Sequence, residues 1–304
     1  MLENRIVYLD GNFVAGSEAT LPILSHSVGR GSAIFDVLAF AETQEGRAIF
    51  RLDEHVARFL RSAAALGMTL PLSEAELHAA IKETVRRNTL EEGAIKIIGF
   101  YPEPSFSLLP PPTPLHLAIF VLDPAGDFGE APLAENESVT AFVSRWRRLD
   151  PRTVPIEAKV AANYLNGLVA RTEAQKHGFA YAIMLDLEGN IAEGGTESIF
   201  LVRAGCLLTP NVGHILQGIT RKSILAAAEA MGIATFAGAL QEEILDEADE
   251  IFFSGTVHRV LPVSRVGDRM LPDTPGPVTR MIAARMQAIT SGRDPRFKDW
   301  LFAI

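Results

Sequence analysis

Apolar and polar positions near the start of the chain alternate with a period of two. "RIVYLDGNFVAG" sets two short apolar runs either side of Asp10-Gly11 and predicts a β-hairpin with a two-residue turn. "IFDVLAF" and "RAIF", around the turn "ETQEG", predict two more strands. The period then lengthens. Leu52, Val56, Phe59 and Leu60 fall on one helical face and predict a helix from near Asp53 to about Leu66. "LSEAELHAAIKETVRRN" predicts a second amphipathic helix, opened by Ser73 with Glu76 three residues on. "GAIKIIGFY" and "PLHLAIFVL" read as strands. The proline-rich "PEPSFSLLPPPTP" between them is expected to be an ordered loop near a site, because sheet-like sequence resumes directly after it.

Further on, "SVTAFVSRW" predicts a strand. "IEAKVAANYLNGLVARTEAQKHG" predicts a helical region ended by Gly178. "YAIMLDLEGNIAEGGTESIFLV" reads as strand, turn, strand, bent at Glu188-Gly189-Asn190. "ITRKSILAAAEAMG" is a helix with Gly232 as its stop, "EEILDEADEIFFSG" a short helix leading into a strand, and "GPVTRMIAARMQAITSG" the last long helix. The Gly-, Pro- and acid-rich "DPAGDFGEAPLAENES" marks a domain boundary. The expected division is a small N-terminal α+β domain over 1–125, a linker over 126–137 and a larger domain over 138–304. Strands and helices mix without strict βαβ alternation, so both domains are read as α+β.

The 304 residues are 48% hydrophobic and 21% charged, which suits a globular chain with a sizeable core. The net charge of −9 argues against nucleic-acid binding. The single cysteine, Cys206, excludes an intrachain disulfide. The N-terminus lacks a basic run followed by an apolar one, so no signal peptide is expected, and no apolar run is long enough for a membrane span. The chain is read as soluble and cytoplasmic.

Several short stretches carry candidate chemistry. In "PIEAKVAANYLNG", Lys159 stands among small and apolar residues. It either snorkels to solvent or is kept half-buried for chemistry. Gly218 in "LQGITRKSIL" precedes a helix start with Thr220 in the first turn, which is either a plain cap or a phosphate site. "FFSGTVHRV" ends a strand at Ser254-Gly255-Thr256 with hydroxyls and a flexible glycine. Arg58 lies on the polar or boundary side of its helix, where arginine is ordinarily solvated. Glu193 in "GNIAEGGTESIF" has small, apolar neighbours. An inward carboxylate there needs a cationic partner.

In this order, from "LSHSVGRGSAIFDVLAF" through "RLDEHVARFLRSA", "KVAANYLNG", "AEGGTESIFLV" and "LQGITRKSIL" to "SGTVHRVLPV", these stretches resemble the fold-type IV pyridoxal-phosphate enzymes, most closely the branched-chain aminotransferases. The resemblance implies a two-domain α+β, D-amino-acid-aminotransferase-like architecture, pyridoxal 5'-phosphate as cofactor, no metal, and a homodimer whose pockets are closed by the neighbouring subunit. It makes Lys159 the catalytic Schiff-base lysine. Tyr164 would hydrogen-bond the phenolic oxygen of the cofactor and Glu193 would face its pyridine nitrogen. Arg58, Ile219, Thr220 and Thr256 would bind the phosphate. Asn163 is read as structural.

The residues read as substrate-binding are Arg30, Phe35, Ile95, Ile97 and Val257, and Arg30, Ile95, Ile97 and Val257 among them depart from the family. Its Tyr-x-Arg motif on the strand "GAIKIIGFY" aligns with Ile95 and Ile97, so Lys96 between them is expected to point away from the pocket. Arg30, Val37 and Ala39 stand where Tyr, Gly and Arg are usual. Thr196 and Ser198 replace Gly and Asn, and Val257, His258 and Arg259 replace two alanines and a glutamate. The expected activity is therefore ping-pong amino transfer from an apolar, branched-chain-like amino acid or an amine to a 2-oxo acid, with Arg30 or another arginine supplying the missing charge. The alternatives are a D-amino-acid or (R)-amine transaminase, a lyase resembling aminodeoxychorismate lyase, and a non-catalytic cofactor binder. "GRGSAIFD" lacks the third glycine and the βαβ unit of a dinucleotide site.

Overall fold

The structure, a computed structural model, describes residues 2–128 and 137–304. Most of the expected linker, 129–136, lies outside the described residues. The chain divides into two compact units.

The first unit contains strands β1 (Ile6–Leu9) and β2 (Asn12–Ala15), which form the expected hairpin, with φ of 47° at Asp10 and 88° at Gly11. Helix α1 (His26–Arg30), strands β3 (Ile34–Thr43) and β4 (Gly46–Phe50), helices α2 (Leu52–Ala65) and α3 (Glu74–Arg86), strands β5 (Gly93–Phe100) and β6 (His116–Leu122) and helix α4 (Pro124–Phe128) follow. Ser73 caps α3 as read: its N–H donates to Glu76 Oε2 at 2.8 Å, and the Glu76 N–H donates to Ser73 Oγ at 3.4 Å. Among the described residues the sheet has seven strands, ordered Leu301–Ala303, β4, β3, β5, β6, β1, β2. One face buries Leu38, Phe40, Ile95 and Ile97 with Val56 and Phe59 of α2 and Leu77 and Ile81 of α3.

Two expectations are corrected here. The later part of the chain is not one continuous domain, because Ala158–Ala162 and Ala288–Ile304 belong to the first unit. Main-chain pairing is the reason. Phe35 N–H donates to Lys159 O at 3.0 Å and Ala161 N–H to Ala33 O at 2.8 Å, while Leu301–Ala303 pairs antiparallel with β4. Nor is the whole of "IEAKVAANYLNG" helical. Its Lys159 segment runs extended beside β3, with Val160 bridged to Ile34, and the α-helix starts only at Tyr164. Gly31 permits this approach: a side chain there would bring Cβ within 2.9 Å of Ala162 Cβ, and its φ is +67°.

The second unit contains strand β7 (Val139–Val143), helix α5 (Tyr164–Lys176), strands β8 (Tyr181–Leu185), β9 (Ile191–Glu193), β10 (Ser198–Arg203) and β11 (Cys206–Pro210), helix α6 (Ile219–Ala230), strand β12 (Thr235–Gly238), helix α7 (Ile244–Glu247), strands β13 (Glu250–Ser254), β14 (Leu261–Val266) and β15 (Arg269–Met270), and helix α8 (Pro277–Thr290) up to Gln287. Its sheet runs β12, β11, β10, β13, β14, β7, β8, β9, with β15 on β14. Ile199, Leu201, Ile251, Phe253 and Val263 form its core. Gly178 and Gly232 follow their helices at φ of 80° and 75°, the left-handed stops expected. No helix of the described residues is long and apolar enough to cross a membrane.

Candidate active site

In the first unit, β3 and β5 pair antiparallel with Val37 opposite Lys96 and Asp36 opposite Ile97. Opposed residues share a face, and successive residues alternate. Asp36, Ile95 and Ile97 therefore lie on the face covered by α2 and α3, whereas Phe35, Val37, Lys96 and Ile98 lie on the other. Lys159 Nζ stands 4.9 Å from the Phe35 ring centre and Lys96 Nζ stands 5.3 Å from the same ring. This reverses the expected phase: Ile95 and Ile97 are core residues, and Lys96 is the one that faces Lys159. Burial, and then the charge of Lys159, lower the pKa of Lys96.

Lys159 is held through its backbone. Its N–H donates to Ser62 Oγ at 2.9 Å, and Ser62 Oγ in turn donates to Arg58 O at 2.9 Å, one turn back on α2. The same helix carries Arg58, which is 4% exposed and not on a solvated side as read from sequence. Asp36, fully buried, is the cause. Its Oδ2 accepts from Arg58 Nε at 2.8 Å, and its Oδ1 accepts from Arg58 Nη2 at 2.8 Å and from His55 Nδ1 at 2.7 Å. Burial alone would raise the carboxyl of Asp36. The charge of Arg58, then that of His55, and the hydrogen bonds from both override it and hold the group far below the usual carboxylate range. Burial lowers the pKa of His55, against the opposing pull of Asp36.

Arg30 does not offer its guanidinium freely, because Nε donates to Ser107 O at 3.1 Å and Nη2 to Phe106 O at 2.7 Å. It pins the proline-rich loop through two of its carbonyls.

In the second unit, Glu193 ends β9 and is buried. Its cationic partner is Arg148, whose Nε donates to Glu193 Oε1 at 2.5 Å. Sequence reasoning required such a cation but did not name it; "SRWRR" offers Arg145, Arg147 and Arg148, and only the fold chooses among them. Tyr164 opens α5, with Asn163 buried just before it. A recess is lined by Arg148, Asn163, Tyr164, Glu193, Gly195 and Thr196. Gly167 brings α5 against its rim: a Cβ there would sit 2.2 Å from Gly195 O.

Gly218 is the N-cap of α6 and has no side chain with which to cap the first turn, where Ile219 and Thr220 are buried. A Cβ on Gly218 would come within 2.6 Å of Ser198 Oγ, and Ser198 pairs with Ser254 across β10 and β13. The start of α6 and the strand end before Thr256 are thus brought to one serine. Val257 beyond it is 39% exposed. Uncapped N–H groups, the positive end of the helix and nearby hydroxyls suit an anionic phosphate.

A family model described as "Amino-transferase class IV" matches residues 33–266. The chain belongs to the class IV aminotransferases. This aminotransferase is 32% identical to the branched-chain-amino-acid aminotransferase of Salmonella typhimurium over 297 residues, 97% of this chain and 96% of that relative. It is 31% identical to the Pseudomonas aeruginosa branched-chain-amino-acid aminotransferase over 296 residues, again 97% and 96%. Among solved structures it is similar to the T.th. branched-chain amino acid aminotransferase complexed with N-(5'-phosphopyridoxyl)-L-glutamate, with a TM-score of 0.93 at 32% identity over 100% of this chain and 99% of that one. It is similar also to the Thermoproteus uzoniensis branched-chain aminotransferase with norvaline, with a TM-score of 0.91 at 34% identity over 98% of each. The expected α+β fold of type IV is the observed one, and the chain is a pyridoxal-phosphate-dependent aminotransferase of branched-chain-aminotransferase type.

Proposed function

We propose that this aminotransferase moves an amino group from an apolar, branched-chain-like amino acid, or from an amine, to a 2-oxo acid in a ping-pong cycle, with Lys159 as its Schiff-base lysine. The observation that carries this reading is Phe35, flanked on one sheet face by the amines of Lys159 and Lys96. Relatives named for branched-chain amino acids, and a similar structure holding norvaline, support the apolar donor.

The residues fit pyridoxal 5'-phosphate. When bound, the cofactor supplies an aldehyde that takes the amino group and a ring that withdraws electrons from the reacting carbon. Lys159 Nζ would take and return the proton at that carbon. Glu193 would face the pyridine nitrogen and Tyr164 would hydrogen-bond the phenolic oxygen. Arg58, the Ile219 and Thr220 amides, the Thr220 hydroxyl and Thr256 would hold the phosphate. Phe35 gives the substrate side chain an apolar wall, and the cytoplasm is its place of work.

Lys96 takes over the charge that Arg30 spends on the loop. It binds the carboxylate of the 2-oxo acid or amino acid. Lys96→Met is expected to raise KM for 2-oxo acids about 10- to 100-fold, the worth of one charge-assisted hydrogen bond, and to leave a carboxylate-free amine donor unaffected. A donor panel of L-amino acids, D-amino acids and (R)- and (S)-1-phenylethylamine, run with two acceptors, reads both points. Pyruvate released without any acceptor, and no amino transfer, would overturn the reading in favour of a lyase.

The enzyme works as a homodimer. In the first unit Ile23 and Leu24 are exposed, as are Phe106, by 88%, Leu108 and Leu109 of the loop held by Arg30 and by His26 Nε2, 3.3 Å from Leu108 O, and Ser105 N–H of that loop donates to Leu24 O at 3.2 Å. Apolar side chains gathered this way belong against a partner. The double variant Phe106→Asp, Leu108→Asp is expected to elute as a monomer in light scattering. A dimer of unchanged mass would assign the interface elsewhere.

A further inference from the structure

Arg148 and Glu193 hang from the same strand. Glu193 pairs with Met184 of β8, and the Arg148 N–H donates to Leu185 O, the next residue, at 2.8 Å. The Arg148 side chain is held at both ends of its guanidinium, with Nε on Glu193 Oε1 and Nη1 on Asn166 Oδ1 at 3.2 Å. Asn166 is a template for the whole segment. Its Oδ1 also accepts the Leu149 N–H at 3.0 Å, and its Nδ2 donates to Arg147 O at 3.0 Å. Both members of the ion pair are more than nine-tenths buried.

A buried carboxyl facing a pyridine nitrogen shares one proton with it. In a poorly solvated site the neutral pair, carboxylic acid and unprotonated ring, is favoured over the charged pair. A guanidinium, which does not give up its proton, reverses that preference when it is fixed on the carboxylate.

We infer that Arg148 is a positioning residue that decides on which side of the Glu193–ring hydrogen bond the proton lies, placing it on the ring nitrogen. The inference rests on Glu193 facing that nitrogen. No atom is gained or lost: one proton moves across one hydrogen bond, and the ring becomes the stronger electron sink.

The test is the ring-nitrogen resonance of ¹⁵N-labelled pyridoxal phosphate in the holoenzyme, with cofactor affinity of the apoenzyme measured alongside. Wild type and Arg148→Lys are expected at the protonated position, and Arg148→Met at the neutral-pyridine position. Turnover of R148M is expected to fall about 10- to 100-fold, the range seen when an outer partner of a functional group is removed. A protonated ring in R148M would overturn the inference. Should R148M fail to fold by circular dichroism, Asn166→Ala, which removes the acceptor of Nη1 along with the bonds to Leu149 N–H and Arg147 O, is read the same way: a resonance moved towards neutral supports the inference and an unmoved one overturns it. Glu193→Gln separates the two ideas. A resonance unmoved by E193Q removes Glu193 from the nitrogen; one moved by E193Q and not by R148M removes Arg148 alone.

Discussion

Lys159→Ala is expected to lower turnover by about 10⁴-fold or more, because the variant would lose both the proposed nucleophile and the proposed proton carrier. The fold should survive. Both backbone groups of Lys159 are engaged, with Ser62 and Phe35, and neither bond involves the side chain. The informative measurement is borohydride reduction of the holoenzyme followed by peptide mass mapping. Two amines flank Phe35, so the experiment has a built-in rival. The cofactor mass is expected on the Lys159 peptide in wild type and on neither lysine in K159A. An adduct on Lys96 in the wild type would exchange the roles assigned to the two residues.

The second large effect concerns Asp36. Asp36→Asn leaves Arg58 buried without its counter-charge, and breaking a buried pair this way costs about 3–5 kcal/mol. Urea denaturation at neutral pH reads the loss directly; a change within experimental error would mean that Arg58 swings to another partner. The pH dependence carries a sign. Asp36 has its folded pKa far below the unfolded value, so its contribution is complete above about pH 4 and disappears as pH falls below that. His55 has a folded pKa below its ordinary 6.5, so the unfolded chain binds its proton first and stability declines as pH falls through that value. Wild type should thus weaken on acidification in two stages. D36N should lose the lower one and keep the decline that begins near the ordinary histidine value. Cofactor affinity of D36N is expected to fall with stability, since Asp36 aims Arg58.

The local features were legible because neighbouring residues dictate them. Asp10-Gly11 supplies the positive φ of its turn, Ser73 and Glu76 cap each other, and Gly178 and Gly232 end their helices. The order of "KVAANYLNG", "AEGGTESIFLV" and "LQGITRKSIL" along the chain was enough for the family. Errors arose where a distant strand decides. The segment around Lys159 has residues fit for a helix, but the Phe35 N–H and Ser62 Oγ claim its backbone first.

The strand "GAIKIIGFY" was recognised, yet its phase was not. Alternation alone leaves two choices of inward face, and only the register of Lys96 against Val37, together with Ile95 and Ile97 packing on α2 and α3, selects one. Arg58 looked like a surface arginine because nothing within a helical turn explains its burial. Asp36, 22 residues earlier, does. By itself the sequence determined most of the elements, their caps and turns, and the family. The tertiary structure decided which charges meet: Asp36 with Arg58, Glu193 with Arg148, and Lys96 with Lys159 across one aromatic ring. Periodicity reports which side of an element is apolar, whereas the pairing of buried charges depends on contacts between segments far apart in the chain.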